Sequence, residues 1–188
     1  MINVEATNKM SKTVRLILGD QLNINHSWFH TIDESITYVL MEIRSETDYA
    51  THHIQKIVGF FSAMRNFASE LQSKNHQVVY FQLNDENNFH AFDKNIKQLI
   101  DTESFTHFEY QFPDEYRLDE ILKNFCQTLS IASSVVESEH FMSSRSELGD
   151  FFEGKKIFLM ESFYHMMRKK HNILMQGDKP LTGKWNYD

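Results

Sequence analysis

Short apolar runs alternate along the chain with longer stretches in which apolar residues recur every three or four positions. The short runs have the length of β-strands and are rich in Val, Ile, Leu, Tyr or Phe, and they cover residues 13–19, 37–43, 77–83, 105–110 and 133–137. The longer stretches have the period of amphipathic helices. The clearest helix is predicted over residues 54–73, and less regular ones over 88–101 and 114–129.

This order of strands and helices predicts an α/β fold. We expect a Rossmann-like, five-stranded, mostly parallel sheet flanked by helices, because strand–helix–strand units form right-handed crossovers between parallel strands. Ligands of such sheets bind beyond the carboxyl ends of the strands. The first predicted strand ends in Gly19, Asp20 and Gln21, which follow three aliphatic residues directly. These three residues are therefore candidates for a ligand site.

The C-terminal part of the chain has a different pattern. Residues 144–175 have a helical pattern, and from residue 176 the segment QGDKPLTGKWNYD contains two of the six glycines and one of the two prolines. We predict an α/β domain over residues 1–143, followed over 144–188 by a helical extension and the start of an interdomain linker. The last residues lack a cap, a strand or a charged tail, so we expect a further domain to follow in the parent protein.

Composition narrows the possible functions. The net charge of -7 argues against binding of nucleic acid by the whole surface, and the single cysteine, Cys126, cannot supply a structural zinc or iron–sulfur site. The first ten residues lack the features of a signal peptide, and no apolar stretch approaches the ~20 residues of a membrane span. We expect a cytoplasmic protein without a metal site or a membrane contact.

A second group of candidate residues follows the second predicted strand. The segment EIRSETDYATHHIQKI, residues 42–57, opens the clearest helix. It is predicted to bring five side chains toward the edge that carries Asp20, namely Glu42, Glu46, Tyr49, His52 and His53. A helix N-terminus offers free N–H groups to an electron-rich ligand. Histidines near the start of a helix are more often surface or capping residues than ligand contacts, and adjacent histidines do not form a ready metal pair.

Two other segments have alternative interpretations. The basic run Arg168–His171 is either a solvated helix end, where cations suit the helix dipole, or a phosphate contact. The segment PDEYRLDEIL, residues 113–122, is explained by helix capping alone. The sequence contains no glycine-rich phosphate loop, no Gly-x-Ser-x-Gly motif and no His-Glu-x-x-His motif.

Five motifs in order give a resemblance to a known family. LILGDQL at 16–22, E-x-x-Y-x-x-H-H-x-x-K-I at 46–57, FSAMRNFASEL at 61–71, FYHMMRKK at 163–170 and GKWNYD at 183–188 resemble the N-terminal part of the photolyase-related proteins. That family comprises the prokaryotic iron–sulfur cryptochromes and (6-4) photolyases. The resemblance begins at Lys12 and covers nearly the whole chain.

The resemblance implies an antenna domain that holds 6,7-dimethyl-8-ribityllumazine. In the family a larger helical domain follows, with FAD and a cysteine-ligated 4Fe-4S cluster, and the absorbed light drives DNA repair or signalling. Carried over by position, the pocket residues are Gly19, Asp20, Gln21, Glu46, Tyr49, His52 and Phe60. Residues 109–117, EYQFPDEYR, depart from the Gly-Glu-Trp-Arg-like segment of many relatives.

The resemblance also implies what this chain lacks. The FAD and cluster sites would lie in the missing helical domain, so this chain alone is not expected to repair DNA. We expect it to contact DNA only as part of the full-length protein, and the isolated chain to self-associate through the surface that the flavin domain covers.

Two alternatives to an antenna domain stay open at this stage. The first is a free-standing α/β module that binds another flat metabolite. The second is a small enzyme in which Glu46 and His52 form an acid–base pair, although no nucleophile or oxyanion feature accompanies them.

Overall fold

The computed structural model describes residues 11–186, which fall into two compact units, one up to Ser138 and one from Glu139 onward. The first ten residues, and Tyr187 and Asp188 at the end of the last quoted motif, lie outside the described residues. The predicted boundary between residues 143 and 144 stays a prediction.

The first unit is built on a five-stranded sheet, and the predicted α/β class is confirmed. Its strands are β1 Thr13–Leu16, β2 Ile36–Met41, β3 Gln77–Phe81, β4 His107–Gln111 and β5 Ala132–Val136. Their order is β3-β2-β1-β4-β5, and every neighbouring pair is parallel. The order reverses between β1 and β4, which is the position where sheets of this kind form a ligand crevice.

Four helices connect these strands in the described part of the first unit. They are α1 Arg44–Thr47, α2 Ile54–Ser73, α3 Phe92–Thr102 and α4 Tyr116–Thr128, and a short 3-10 turn covers Ser27–Phe29. Helix α2 has the predicted bounds. It begins after His53, whose side chain accepts a hydrogen bond from the backbone N–H of Gln55 at 3.2 Å and so caps the helix.

Strands β1, β2 and β3 end two or three residues earlier than their apolar runs predict, and after β1 and β3 side chains replace the neighbouring strand as hydrogen-bond partners. After β1, the backbone N–H of Leu18 donates to Oε1 of Gln21 at 3.1 Å. After β3, the backbone N–H of Leu83 donates to Oε2 of Glu42 at 2.9 Å. The run after β1 continues through the buried residues Ile17 and Leu18, whereas the run after β3 continues through the exposed residues Gln82 and Leu83.

The core of the first unit has two layers, one on each face of the sheet. Val14 and Leu16 on β1 pack with Phe108 and Leu122 on one face, whereas Ile17 packs on the other face with residues of α2. Alternate residues of a strand point to opposite faces, so each layer takes every second position.

The second unit is only partly helical. Within the described residues 139–186, helix α5 covers Glu147–Phe152, helix α6 covers Met160–Lys170, and an antiparallel pair is formed by β6 Met175–Gln176 and β7 Lys179–Pro180. The helical pattern predicted over 144–175 is interrupted because Gly154, Asn172 and Leu174 adopt positive φ angles of 71°, 52° and 50°. The segment from residue 176, where a linker is predicted to begin, starts with a tight hairpin around Gly177, and its role as a linker stays a prediction.

Among residues 11–186, no helix is long and apolar enough to cross a membrane.

A buried carboxylate joins β2, β3 and α2. Glu42 is fully buried and accepts hydrogen bonds from Arg65 Nε at 2.6 Å, Arg65 Nη2 at 2.9 Å, the Tyr80 hydroxyl at 2.7 Å and the Leu83 N–H. Burial alone would raise the pKa of Glu42, but these hydrogen bonds outweigh it and hold the pKa below its ordinary value of 4.5. Burial and the ionised Glu42 together raise the pKa of Tyr80. Glu42 thus has a structural role, because it joins the ends of β2 and β3 to α2.

Replacing Glu42 with glutamine should lower the free energy of unfolding by about 1–3 kcal/mol at pH 7, because Arg65 loses its charged partner. A carboxylate with a depressed pKa stabilises the fold above its unfolded-state value and loses that contribution as the pH falls through the folded-state value. Urea denaturation should therefore show the difference between wild type and Glu42→Gln narrowing below pH 4.5. Glu70→Gln, which removes an exposed pair with Lys74, is the control and should change little. If the difference in the free energy of unfolding between wild type and Glu42→Gln did not vary with pH, the role given to Glu42 would be contradicted.

Candidate functional site

A cavity of about 240 Å³ lies at the carboxyl edge of the sheet in the first unit. It is bounded by the ends of β1 and β2, the helix α1, the start of α2 and the start of α4. Its inner wall is apolar and is formed by Leu18, Met41, Ile43, Phe61, Met64 and Leu118. Its mouth carries polar and aromatic side chains. The cavity therefore has the mixed lining that suits an apolar ring with a few polar groups.

Six of the seven residues predicted for the pocket line this cavity. They are Gly19, Asp20, Glu46, Tyr49, His52 and Phe60, which come from three separate segments of the chain. Gln21 is not on the cavity wall. The structure thus brings the predicted residues together, while their contact with a ligand stays a prediction.

Gly19 leaves room at the inner end of the cavity. A Cβ atom at this position would lie 3.1 Å from Sδ of Met64 and 3.5 Å from Cδ1 of Phe60. The first distance is shorter than an ordinary van der Waals contact, so a larger residue would displace Met64 or intrude on the cavity.

Gln21 connects the first strand to the fourth. Its side chain is buried, its Oε1 accepts from the Leu18 N–H, and its Nε2 donates to the carbonyl oxygens of Gln111 at 3.3 Å and Phe112 at 3.2 Å. These hydrogen bonds join the segment after β1 to the end of β4, at the position where the strand order reverses. Gln21 therefore stabilises the segment after β1, which carries the cavity residues Gly19 and Asp20, without lining the cavity itself.

Glu46 is held by an arginine that the sequence patterns did not single out. Arg117 donates from Nη1 to Oε1 of Glu46 at 3.2 Å and from Nη2 to Oε2 at 2.8 Å. It also donates to both carboxylate oxygens of Glu115, at 2.8 Å and 3.2 Å. The hydrogen bonds to Glu46, and then those to Glu115, raise the pKa of Arg117. The position of Arg117, just past the carboxyl end of β4, was the available sequence signal for its role.

Aromatic side chains and Lys56 follow one another along the mouth of the cavity, and Arg117 contacts them without lining the cavity itself. The Arg117 guanidinium carbon lies 4.3 Å from the centroid of the Tyr49 ring, and the Tyr49 and His52 ring centroids are 5.2 Å apart. Lys56 Nζ lies 3.3 Å from Nδ1 of His52 and 5.9 Å from the centroid of Phe60. Tyr49 and Phe60 are 53% and 43% exposed, so part of each ring surface is accessible to a flat ligand although Arg117 lies over the Tyr49 ring.

The two adjacent histidines have different roles. His53 caps α2, whereas His52 lines the cavity. In the part of the chain that the structure describes, no hydrogen bond joins Glu46 to His52, and no group of three His, Cys, Asp or Glu residues is arranged to hold a metal ion. The geometry favours binding of a ligand over acid–base chemistry by Glu46 and His52.

The basic run of the second unit is engaged within that unit. Arg168 is buried and donates to the carbonyl oxygens of Ile173 at 3.1 Å, Leu174 at 2.7 Å and Trp185 at 2.6 Å. Lys170 donates to Glu147 at 2.6 Å. These contacts account for the positions of Arg168 and Lys170 without a phosphate ligand.

Comparisons with known proteins agree with the motifs. Residues 15–188 match the family model of deoxyribodipyrimidine photo-lyase-related proteins. A (6-4) photolyase of Agrobacterium fabrum is 36% identical over 180 residues, which cover 95% of this chain and 35% of that protein. The uncharacterized protein R852 of Acanthamoeba polyphaga mimivirus is 27% identical over 192 residues, which cover 94% of this chain and 92% of that protein. The chain thus spans about a third of the photolyase and most of the viral protein.

Replacing Gln21 with alanine should destabilise the first unit by about 1–3 kcal/mol, because a buried N–H group and two carbonyl groups lose their partner. Urea denaturation followed by circular dichroism measures this loss. Gln72→Ala, an exposed glutamine on α2, is the matched control and should change the free energy of unfolding by less than about 0.5 kcal/mol. Equal effects of the two substitutions would contradict the role of Gln21 as a tie between β1 and β4.

Proposed function

The chain belongs to the deoxyribodipyrimidine photo-lyase-related protein family, and we propose that its cavity holds an antenna chromophore, 6,7-dimethyl-8-ribityllumazine. The observation that carries this proposal is the convergence of six family-matched residues on one cavity at the reversal of the strand order. A lumazine is a flat heteroaromatic ring with carbonyl groups, ring nitrogens and a hydroxylated side chain.

The lining supports such a ligand in two ways. The apolar wall around Met64 and Leu118 matches the ring, and the half-exposed rings of Tyr49 and Phe60 offer faces for stacking. Asp20, Glu46 and His52 at the mouth match the hydroxyl and ring donors and acceptors.

In this proposal the chain serves a flavoprotein as its light-collecting domain. The bound lumazine would absorb light and pass the energy to FAD. We assign FAD and the 4Fe-4S cluster to a separate helical domain, because Cys126 alone cannot ligate a cluster. That domain would also make the contact with damaged DNA, which the net charge of -7 disfavours for this chain. Light-driven repair or blue-light sensing in the cytoplasm would be the activity of the combined protein.

A second candidate function is a free-standing module that binds another flat metabolite. The observation that favours it is the viral relative, of which the matched region covers 92%. Mass spectrometry of the compound retained by the purified chain separates the two: a retained lumazine supports the antenna role, and a different retained metabolite supports the module.

The purified chain should bind 6,7-dimethyl-8-ribityllumazine saturably, with a rise in fluorescence anisotropy, because the cavity restricts the rotation of the ring. Glu46→Ala and His52→Ala should each weaken binding by about 1–3 kcal/mol, the usual loss for a buried polar partner. Lys97→Ala, which removes an exposed pair with Asp101 on α3, is the control and should leave binding unchanged. Absence of binding in a folded chain would contradict the antenna proposal, and binding that neither substitution weakens would contradict the residue assignment.

An apolar surface of the second unit supports the proposed contact with the flavin domain. Ile157, Phe158, Leu159 and Met160 are consecutive and are 58–70% exposed. Contiguous apolar surface of this kind marks a contact in most soluble proteins. We propose that the helical flavin domain covers it.

In the isolated chain, a second copy should cover this surface, so sedimentation velocity should show an association that increases with protein concentration. The variant with Ile157→Gln and Leu159→Gln should sediment as a monomer. Lys156→Gln, at the adjacent exposed position, is the control and should associate like wild type. A wild-type chain that stays monomeric over the whole concentration range would contradict this prediction.

A further inference from the structure

We propose that Arg117 is a positioning residue of the cavity, which orients Glu46 and Tyr49 for the ligand from behind the cavity wall. The inference rests on the proposed function, because it concerns the same site. It adds a residue on α4, a helix that carries none of the residues predicted for the pocket from the sequence.

Arg117 fixes Glu46 through a two-point contact. Its Nη1 and Nη2 atoms donate to the two different oxygens of Glu46, at 3.2 Å and 2.8 Å, while Nε and Nη2 donate to the two oxygens of Glu115. A planar guanidinium held by two carboxylates has little freedom to rotate. Glu46 therefore presents its remaining lone pairs to the cavity in one orientation.

The same guanidinium orders the aromatic part of the mouth. It lies against the Tyr49 ring at 4.3 Å, and Tyr49 in turn contacts the edge of His52 at 5.2 Å. Tyr49 lies in the segment between α1 and α2 and belongs to neither helix. The cation–π contact with Arg117 is thus a restraint on a half-exposed side chain.

A second Arg–Glu pair in the same unit shows what a purely structural pair is like. Arg65 also makes a two-point contact, but its partner Glu42 has a side chain that is 0% exposed and that lies off the cavity. The side chains of Arg117 and Glu46 are 32% and 24% exposed. The pairs differ in where the carboxylate lies. Glu42 is enclosed away from the cavity, whereas Glu46 lines it, so the contact with Arg117 sets the orientation of a group that a ligand can reach.

Lumazine titrations of Arg117→Gln and Arg117→Lys test this role. We expect both variants to bind 6,7-dimethyl-8-ribityllumazine about tenfold more weakly, because neither an amide nor an ammonium group reproduces the planar fork. Arg65→Gln is the matched control: it should lower the midpoint of urea denaturation and leave the lumazine affinity of the folded chain unchanged. Equal affinity of wild type and Arg117→Gln, or an equal loss in Arg65→Gln, would overturn the proposal.

A double-mutant cycle tests whether Arg117 acts through Glu46. Combining Arg117→Gln with Glu46→Gln should weaken binding far less than the product of the two single losses, because the second substitution removes a group that is already misplaced. Losses that multiply in full would overturn the proposal and indicate an independent contact of Arg117 with the ligand.

Nuclear magnetic resonance of the ligand-free chain gives a readout that does not depend on lumazine. Arg117→Gln should shift the ring resonances of Tyr49 and His52, whereas Arg65→Gln should leave them in place. Unchanged ring resonances in Arg117→Gln would overturn the positioning role even if lumazine binds. If lumazine does not bind to wild type but these resonances shift, the antenna proposal fails and the positioning role stands.

Discussion

The common direction of the five strands is the constraint on which the site depends. All neighbouring strands are parallel, so every carboxyl end reaches the same edge, and segments that are far apart in sequence meet there. Gly19 follows β1, Glu46 follows β2 and Arg117 follows β4. Gln21 bonds β1 to the end of β4 at the one place where the strand order reverses. A cavity with polar groups from three connections is the consequence of that arrangement.

Two Arg–Glu pairs at this edge illustrate how burial decides the role of the same chemistry. Glu42 is enclosed and satisfied by four donors, and it anchors β2 to α2 and β3. Glu46 is four residues further on, where it lines the cavity and is held by Arg117, which does not line it. The first pair is costly to break because a charge would remain buried. The second pair holds a carboxylate that lines the cavity, so it governs the geometry of a surface that a ligand can reach.

Much of the fold could be predicted from local patterns, because strand and helix periods are properties of short segments. All five strands were located within a few residues, and α2 has its predicted bounds because an apolar stripe and the capping residue His53 coincide there. The roles of Gln21 and Arg117 depend on partners about 90 and 71 residues away, which no local pattern records. The helical pattern of the second unit is interrupted where residues such as Asn172 and Leu174 adopt a left-handed backbone conformation. Their residue types do not require this conformation, so the sequence did not reveal the interruption.

The two relatives differ in how much of their own length this chain matches. Each matches nearly the whole of this chain, yet the matched part is 35% of the photolyase and 92% of the viral protein. What both have in common with this chain therefore lies in the sheet unit and its extension, whereas the remaining two thirds of the photolyase have no counterpart in this sequence. The cavity at the strand reversal belongs to the common part, and its geometry suits binding more than bond-making. The proposed ligand site therefore lies in a part of the chain that is matched both by a much longer protein and by one of similar length, and a site of this kind does not depend on the rest of either protein.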